Sequence, residues 1–112
     1  MRIDARIPVR IGGLADAGEG DALLLSSGMP PPGWPAEVMP HGAPSHAAGC
    51  LCCQPRNAAA QALGALFLRR ARGEVGWFRG VLAVVGPVEA AMVHAALEAD
   101  PLTSARFRPS QG

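Results

Sequence analysis

Three cysteines fall within positions 50–53, and their side chains are the strongest chemical signal in the sequence. They are Cys50, Cys52 and Cys53, in the run Gly49-Cys50-Leu51-Cys52-Cys53. A thiolate is a soft ligand that suits zinc, copper(I) and iron–sulfur centres. A tight backbone turn can bring three such side chains to one ion. The pattern therefore predicts a transition-metal site, with zinc as the first metal to consider.

Three thiolates are one ligand short of a tetrahedral zinc site. We expect the fourth ligand from His46, from His41, from water or from a partner, and an open fourth position suits a protein that hands its metal on. An iron–sulfur cluster normally takes four thiolates, so it would require a dimer. Two other interpretations stay open, because clustered cysteines also act as redox thiols or pack as small apolar side chains.

A second motif is a glycine loop that follows a predicted strand over Ile7–Ile11. Gly13 and Gly18 have the spacing of the two glycines in the phosphate-binding loop Gly-x-x-x-x-Gly-Lys-Ser/Thr. Glu19 and Gly20 stand where that loop has its lysine and its hydroxyl residue. An acidic lining repels a triphosphate, so we interpret Gly13 and Gly18 as a degenerate P-loop. The sequence favours a plain strand-to-helix turn with acidic capping over GTP binding.

Composition narrows the function further. The chain has 112 residues, enough for one small domain, and its ten basic residues are all arginine. The absence of lysine excludes Schiff-base and general-base lysines and the P-loop lysine. A formal net charge of +1 argues against a general nucleic-acid partner. No apolar run approaches the roughly 20 residues of a membrane helix, and no secretory signal is evident, so we predict a cytoplasmic protein without a membrane partner.

Hydrophobic periodicity predicts how the elements follow one another. After the strand Ile7–Ile11 we expect a helix over residues 19–26, and then a Pro/Gly-rich flexible loop over residues 28–48. That loop has a brief extended piece at residues 37–39. The best helix prediction covers residues 56–72 with Gly73 as its stop, and an apolar strand follows at residues 81–85.

The last predicted elements are a helix over residues 87–98 and a short turn over residues 102–107. We expect the helix to bury one set of side chains and the turn to fold two back onto the core; these are Val88, Met92, Ala95 and Ala96, and then Leu102 and Phe107. Trp34 and Trp77 are ordinary packing candidates. The element order predicts a single α/β domain over residues 1–112 with a short parallel sheet flanked by helices.

Taken together, these stretches resemble the CobW-type metal-chaperone GTPases. Residues 6–9 with the glycine loop and Leu23-Leu24 resemble the family's opening strand and P-loop. Gly49-Cys50-Leu51-Cys52-Cys53, followed by Arg56, resembles its Gly-Cys-x-Cys-Cys metal motif. Residues 81–86, 99–101 and 107–108 resemble its second catalytic strand and the segment beyond it.

The resemblance implies a partial P-loop-NTPase-like unit that keeps the metal motif at Cys50, Cys52 and Cys53. The GTPase machinery does not carry over, because Glu19 and Gly20 replace the P-loop lysine and hydroxyl. In addition, Ala83 lies in the run where the family has an acidic group linked to magnesium. The resemblance covers only the first part of a family GTPase domain and stops before its Asn-Lys-x-Asp motif.

The sequence therefore predicts a non-catalytic, CobW-like metal-binding protein. It would hold zinc or another transition metal as a carrier, a sensor or an accessory in metal homeostasis. The partners that this role implies are the metal ion itself and a full-length GTPase or a metal-receiving protein. Two alternatives stay open: a residual GTP-binding protein of the same type, and a decayed fragment with no dedicated role.

Overall fold

The computed structural model describes residues 5–40 and 57–110, which form five parallel strands and three α-helices. The strands are β1 (Ile7–Ile11), β2 (Asp21–Leu25), β3 (Ala36–Val38), β4 (Gly80–Val84) and β5 (Phe107–Pro109), in the sheet order β3-β2-β4-β1-β5. The helices are α1 (Ala58–Ala71), α2 (Pro87–Ala99) and α3 (Pro101–Arg106), and a short 3-10 helix covers Leu14–Asp16. The predicted fold class is confirmed: the chain is α/β, with a parallel sheet flanked by helices, and is compatible with a small P-loop-like unit.

The strand register divides the sheet into two faces. Val9 lies beside Val81, which lies beside Ala22, so these three side chains share one face. The connections from β3 to β4 and from β4 to β5 cross the sheet in the same direction, and right-handed crossovers place both on the same face. Helices α1 and α2 accordingly pack on this face. Their fully buried contributions to the core include Leu63, Leu66 and Val93.

The connection from β1 to β2 runs in the opposite direction, so the same handedness places it on the opposite face. Residues 12–20 make this connection with only the 3-10 helix, whereas parallel crossovers usually take a dozen or more residues and an α-helix. Within the described ranges no α-helix covers this face. Leu23 and Leu82 are buried there by Ala17 and Trp34.

The predicted helix over residues 19–26 is wrong, because residues 21–25 form strand β2, an interior strand of the sheet. Leu23-Leu24-Leu25 is a short apolar run, and a central strand buried on both faces has the same pattern as a buried helix turn. The predicted extended piece at residues 37–39 is strand β3, shifted by one residue. The helices over 56–72 and 87–98 and the strand over 81–85 are confirmed within two residues at their ends.

The end of the chain differs more from the prediction. Of the four side chains predicted to face inward on α2, Ala96 is buried and Met92 is partly buried, whereas Val88 is 71% exposed and Ala95 is exposed. Val93 and Leu97 complete the buried face. Phe107 is 1% exposed as predicted, but it begins an unpredicted strand, β5, that pairs with β1. Leu102 was expected on the core and is 48% exposed.

Both ends of α1 carry the stop signals that its sequence indicates. The Asn57 side chain accepts a hydrogen bond from the Ala60 N–H, which caps the first turn. At the other end Gly73 has φ of +73°, and the N–H groups of Gly73 and Glu74 donate to the carbonyls of Arg70 and Arg69. This is the Schellman pattern, in which glycine tolerates the left-handed conformation.

No helix of the described residues is long and apolar enough to cross a membrane.

Candidate functional site

The predicted metal ligands lie outside the described residues. Cys50, Cys52, Cys53 and His46 all belong to residues 41–56, so the metal site stays a prediction. Among residues 5–40 and 57–110 no group of three or more His, Cys, Asp or Glu side chains could hold a metal ion.

The described residues that flank this segment lie at the carboxyl edge of the sheet. The Met39 N–H donates to the carbonyl of Leu25, the last residue of β2, at 2.7 Å. Near the C-terminal end of α1, Arg69 donates to the carbonyl of Ala36 at the start of β3, so this end of the helix lies at the amino edge of the sheet. Asn57 caps the other end of α1, which therefore lies at the carboxyl edge. In α/β sheets the carboxyl edge of the strands is where ligands usually bind.

The loop that follows β1 has two backbone N–H groups already bound by its own carboxylates. The Gly13 N–H donates to Asp16 Oδ2 at 2.9 Å, and the Gly18 N–H donates to Asp21 Oδ2 at 2.8 Å. In a phosphate-binding loop such N–H groups cradle phosphate oxygens. In this chain the N–H groups of the two glycines instead donate to the carboxylates of Asp16 in the loop and Asp21 at the start of β2.

Arg10, on strand β1, binds residues at the far end of the loop. Its two terminal nitrogens donate to the two Asp21 carboxylate oxygens at 3.1 and 2.8 Å, and one of them also donates to the Asp16 carbonyl at 2.7 Å. The Arg10 hydrogen bond lowers the pKa of Asp21, with help from the Gly18 N–H and against the effect of burial. The same hydrogen bond raises the pKa of Arg10. The pair is bidentate and partly buried, which makes it stronger than an ordinary surface ion pair.

Beyond Asp21 the chain enters β2 rather than a helix, so the loop faces no α-helix N-terminus of its own. A working P-loop uses that helix N-terminus and a lysine to hold phosphate. Glu19, which occupies the lysine position, is exposed. The loop therefore has neither the helix N-terminus nor the lysine with which a P-loop holds phosphate.

A shallow cleft of about 170 Å³ lies beside this loop, at the amino ends of β2 and β4. Its charged lining is mixed: Arg10 and Arg79 are cations, and Glu19 and Asp21 are anions. Gly80 contributes no side chain, and a Cβ there would lie 3.2 Å from Asp21 Oδ1. The balance of charge gives the cleft no preference for a polyphosphate.

Sequence reasoning did not identify the Arg10–Asp21 pair. A signal for it exists, since Arg10 alternates with the buried Ile7 and Val9 and must therefore point to the face opposite the helices. Its partner was hidden because Asp21 was placed in a predicted helix.

Comparison of the chain with models of protein families, with curated proteins and with solved structures found no match in any of the three.

Proposed function

We propose that this chain is a non-catalytic metal-binding protein that holds zinc or another transition metal through Cys50, Cys52 and Cys53. The observation that carries the proposal is the Cys-x-Cys-Cys run, three soft ligands within positions 50–53, which resembles the metal motif of CobW-type metal chaperones. His46, with His41 as the alternative, is the side chain that would complete a tetrahedral site.

The geometry of the loop supports the non-catalytic part of the proposal. A triphosphate at Gly13 and Gly18 would have to displace two carboxylate–N–H bonds and would meet the negative charge of Asp16 and Asp21. Displacing Asp21 would also break its bidentate pair with Arg10. Because the sequence offers no lysine as compensation, GTP is not proposed as a cofactor.

The role that follows is metal handling rather than turnover. A site with an exchangeable fourth ligand suits a carrier, a sensor or an accessory protein. A full-length GTPase or a metal-receiving protein would then be its partner. The proposed compartment is the cytoplasm, where thiols stay reduced and available as ligands.

Titration of the fully reduced protein with Co²⁺, followed by displacement with Zn²⁺, tests the proposal. We expect a thiolate-to-cobalt charge-transfer band that saturates at one ion per chain and disappears on addition of zinc. A triple Cys→Ser variant at positions 50, 52 and 53 should lose the band, and His46→Ala should weaken it. His41→Ala tests the alternative ligand, and His94→Ala, at an exposed histidine of helix α2, is the matched histidine control.

The outcomes separate the alternatives. Absence of the band in a folded, reduced protein, or an unchanged affinity in the triple variant, would contradict the metal proposal and favour redox or packing roles for the cysteines. GTP with Mg²⁺ should leave the melting temperature unchanged. A clear rise together with phosphate release would replace the proposal with a residual GTPase function. A far-UV circular dichroism spectrum without helix, with and without metal, would indicate a decayed fragment.

A further inference from the structure

The guanidinium of Arg70, near the end of α1, lies over the ring of the exposed Trp77. Its guanidinium carbon is 3.5 Å from the centroid of the Trp77 ring and 5.2 Å from the centroid of the Phe78 ring. Phe78 is fully buried, whereas Trp77, which was expected to pack, is 68% exposed. The stack therefore joins the core to the surface and leaves most of the indole in contact with solvent.

The neighbouring arginines show what is unusual about Arg70. A terminal nitrogen of Arg69 lies 2.9 Å from Glu37 Oε1. A terminal nitrogen of the exposed Arg72 lies 3.8 Å from Glu74 Oε2. Within the described ranges Arg70 has no carboxylate partner, and its buried Nε atom has no hydrogen-bond acceptor. Burial lowers the pKa of Arg70, because the guanidinium is partly removed from solvent. Two of the three arginines at this helix end are thus paired with an acid, and one is not.

A partly buried guanidinium without a carboxylate partner loses part of its hydration, and contact with aromatic rings offsets some of that loss. An exposed tryptophan adds apolar surface that water covers poorly. The two features together match the side chains that dominate binding energy at protein interfaces, where tryptophan and arginine are enriched. The complement of such a surface is a carboxylate placed beside an apolar side chain.

We propose that Arg70 and Trp77 form a docking surface for an acidic segment of a partner protein. A carboxylate of that segment accepts hydrogen bonds from the terminal N–H groups of Arg70, and an adjacent apolar side chain packs on the open part of the Trp77 ring. The charge of the surface selects the occupant. The surface lies at the amino edge of the sheet, where α1 ends and β4 begins, whereas the residues flanking the cysteine segment lie at the carboxyl edge.

Fluorescence of Trp77 provides the test. The chain has two tryptophans, so Trp34→Phe leaves Trp77 as the reporter, with far-UV circular dichroism to show that this variant is folded. The probes are two blocked hexapeptides, one alternating Glu and Leu and the other alternating Lys and Leu. We expect the acidic peptide to change the Trp77 emission saturably, with an affinity that falls as salt is raised, and the basic peptide to have no effect.

Variants assign the effect to the stack. Arg70→Gln should weaken binding of the acidic peptide by about tenfold while keeping a planar group on the ring. Trp77→Ala in the Trp34→Phe background has no tryptophan, so its binding is measured by calorimetry. The affinity of this variant for the acidic peptide should fall by a similar factor. Arg72→Ala is the matched control, because Arg72 is exposed and already has an acidic neighbour. The affinity of this variant for the acidic peptide should stay within about twofold of the parent.

Three results would overturn the proposal. The first is no binding of the acidic peptide, and the second is equal binding of the two peptides. The third concerns Asp4, the one Asp or Glu outside the described ranges. If Asp4→Asn changes the Trp77 emission, and the acidic peptide binds this variant but not the parent, then the chain's own carboxylate occupies Arg70 and no partner segment is needed.

Discussion

The Arg10–Asp21 pair is the residue-level feature that most constrains the glycine loop. Asp21 is 11% exposed at its side chain, binds Arg10 through both oxygens and also accepts the Gly18 N–H. We expect Asp21→Asn to lower the free energy of unfolding by about 1–3 kcal/mol, because Arg10 loses a charged, bidentate acceptor. Urea denaturation at pH 7 measures this. Glu19→Gln, an exposed neighbour, is the control and should stay within about 0.5 kcal/mol of the parent.

The same pair gives the stability of the protein a dependence on pH. The pKa of Asp21 in the folded chain is lower than the value of about 3.9 that an aspartate has in an unfolded chain. Its contribution is therefore complete above that unfolded value and is lost as the pH falls through the folded value. Urea midpoints measured from pH 6 downward should fall less steeply for Asp21→Asn than for the parent. Parallel curves would show that Asp21 contributes nothing to the acid limb.

At the scale of single elements, Asn57 joins two helices. Its Oδ1 caps α1 by accepting the Ala60 N–H at 2.8 Å, and its Nδ2 donates to the Met92 carbonyl in α2 at 3.0 Å. We expect Asn57→Ala to cost about 1–2 kcal/mol, since the cap and the bridge are lost together. Asn57→Asp keeps the cap and suits the helix dipole but cannot donate, so it should cost less. Equal losses in thermal melts would assign the whole effect to the bridge.

The elements also show how far the sequence alone reaches. The long helix α1 was predictable because Asn57, the Ala- and Leu-rich run and Gly73 all favour one structure. Strand β2 was not, since three consecutive leucines fit a helix turn and a two-sided strand equally well and only the sheet decides between them. Helix α2 was predicted, but only part of its buried face was: Ala96 is buried as predicted, whereas Val93 was not identified. Its composition is apolar nearly all round, so periodicity cannot select Val93 over Val88.

The candidate site was less predictable than the fold. The spacing of Gly13 and Gly18 suggested a phosphate loop, and the acidic residues around them argued against phosphate. The sequence could not show that Asp16 and Asp21 bind those glycine N–H groups themselves. Such bonds depend on the loop closing onto a strand, and strand pairing is a long-range property. The contact between Arg70 and Trp77 was missed for a different reason: it forms across the turn after α1, and hydrophobic periodicity does not show how that turn is folded.

The whole molecule is a sheet with helices on one face and short loops on the other. The nine-residue segment 12–20 makes the β1 to β2 crossover without an α-helix, so the second core cluster relies on Ala17 and Trp34. A parallel sheet normally buries both faces under helices. The helix-bearing face therefore supplies most of the apolar burial, and the stability of the whole chain depends on how completely that face is closed.

Strand β5 closes that face at the sheet edge, and Phe107 is its anchor. Phe107 is 1% exposed, and its ring meets that of Phe67 edge to face with centroids 6.1 Å apart. Phe107→Ala should cost about 3–5 kcal/mol, a large part of the roughly 5–15 kcal/mol that holds a small domain folded. Leu102→Ala, at a side chain that is 48% exposed, is the matched control and should cost far less. Guanidinium denaturation followed by circular dichroism compares them. Similar midpoints for the two variants would mean that β5 is not part of the cooperative unit, whereas a large loss for Phe107→Ala alone would show that the last strand and helix α1 unfold together.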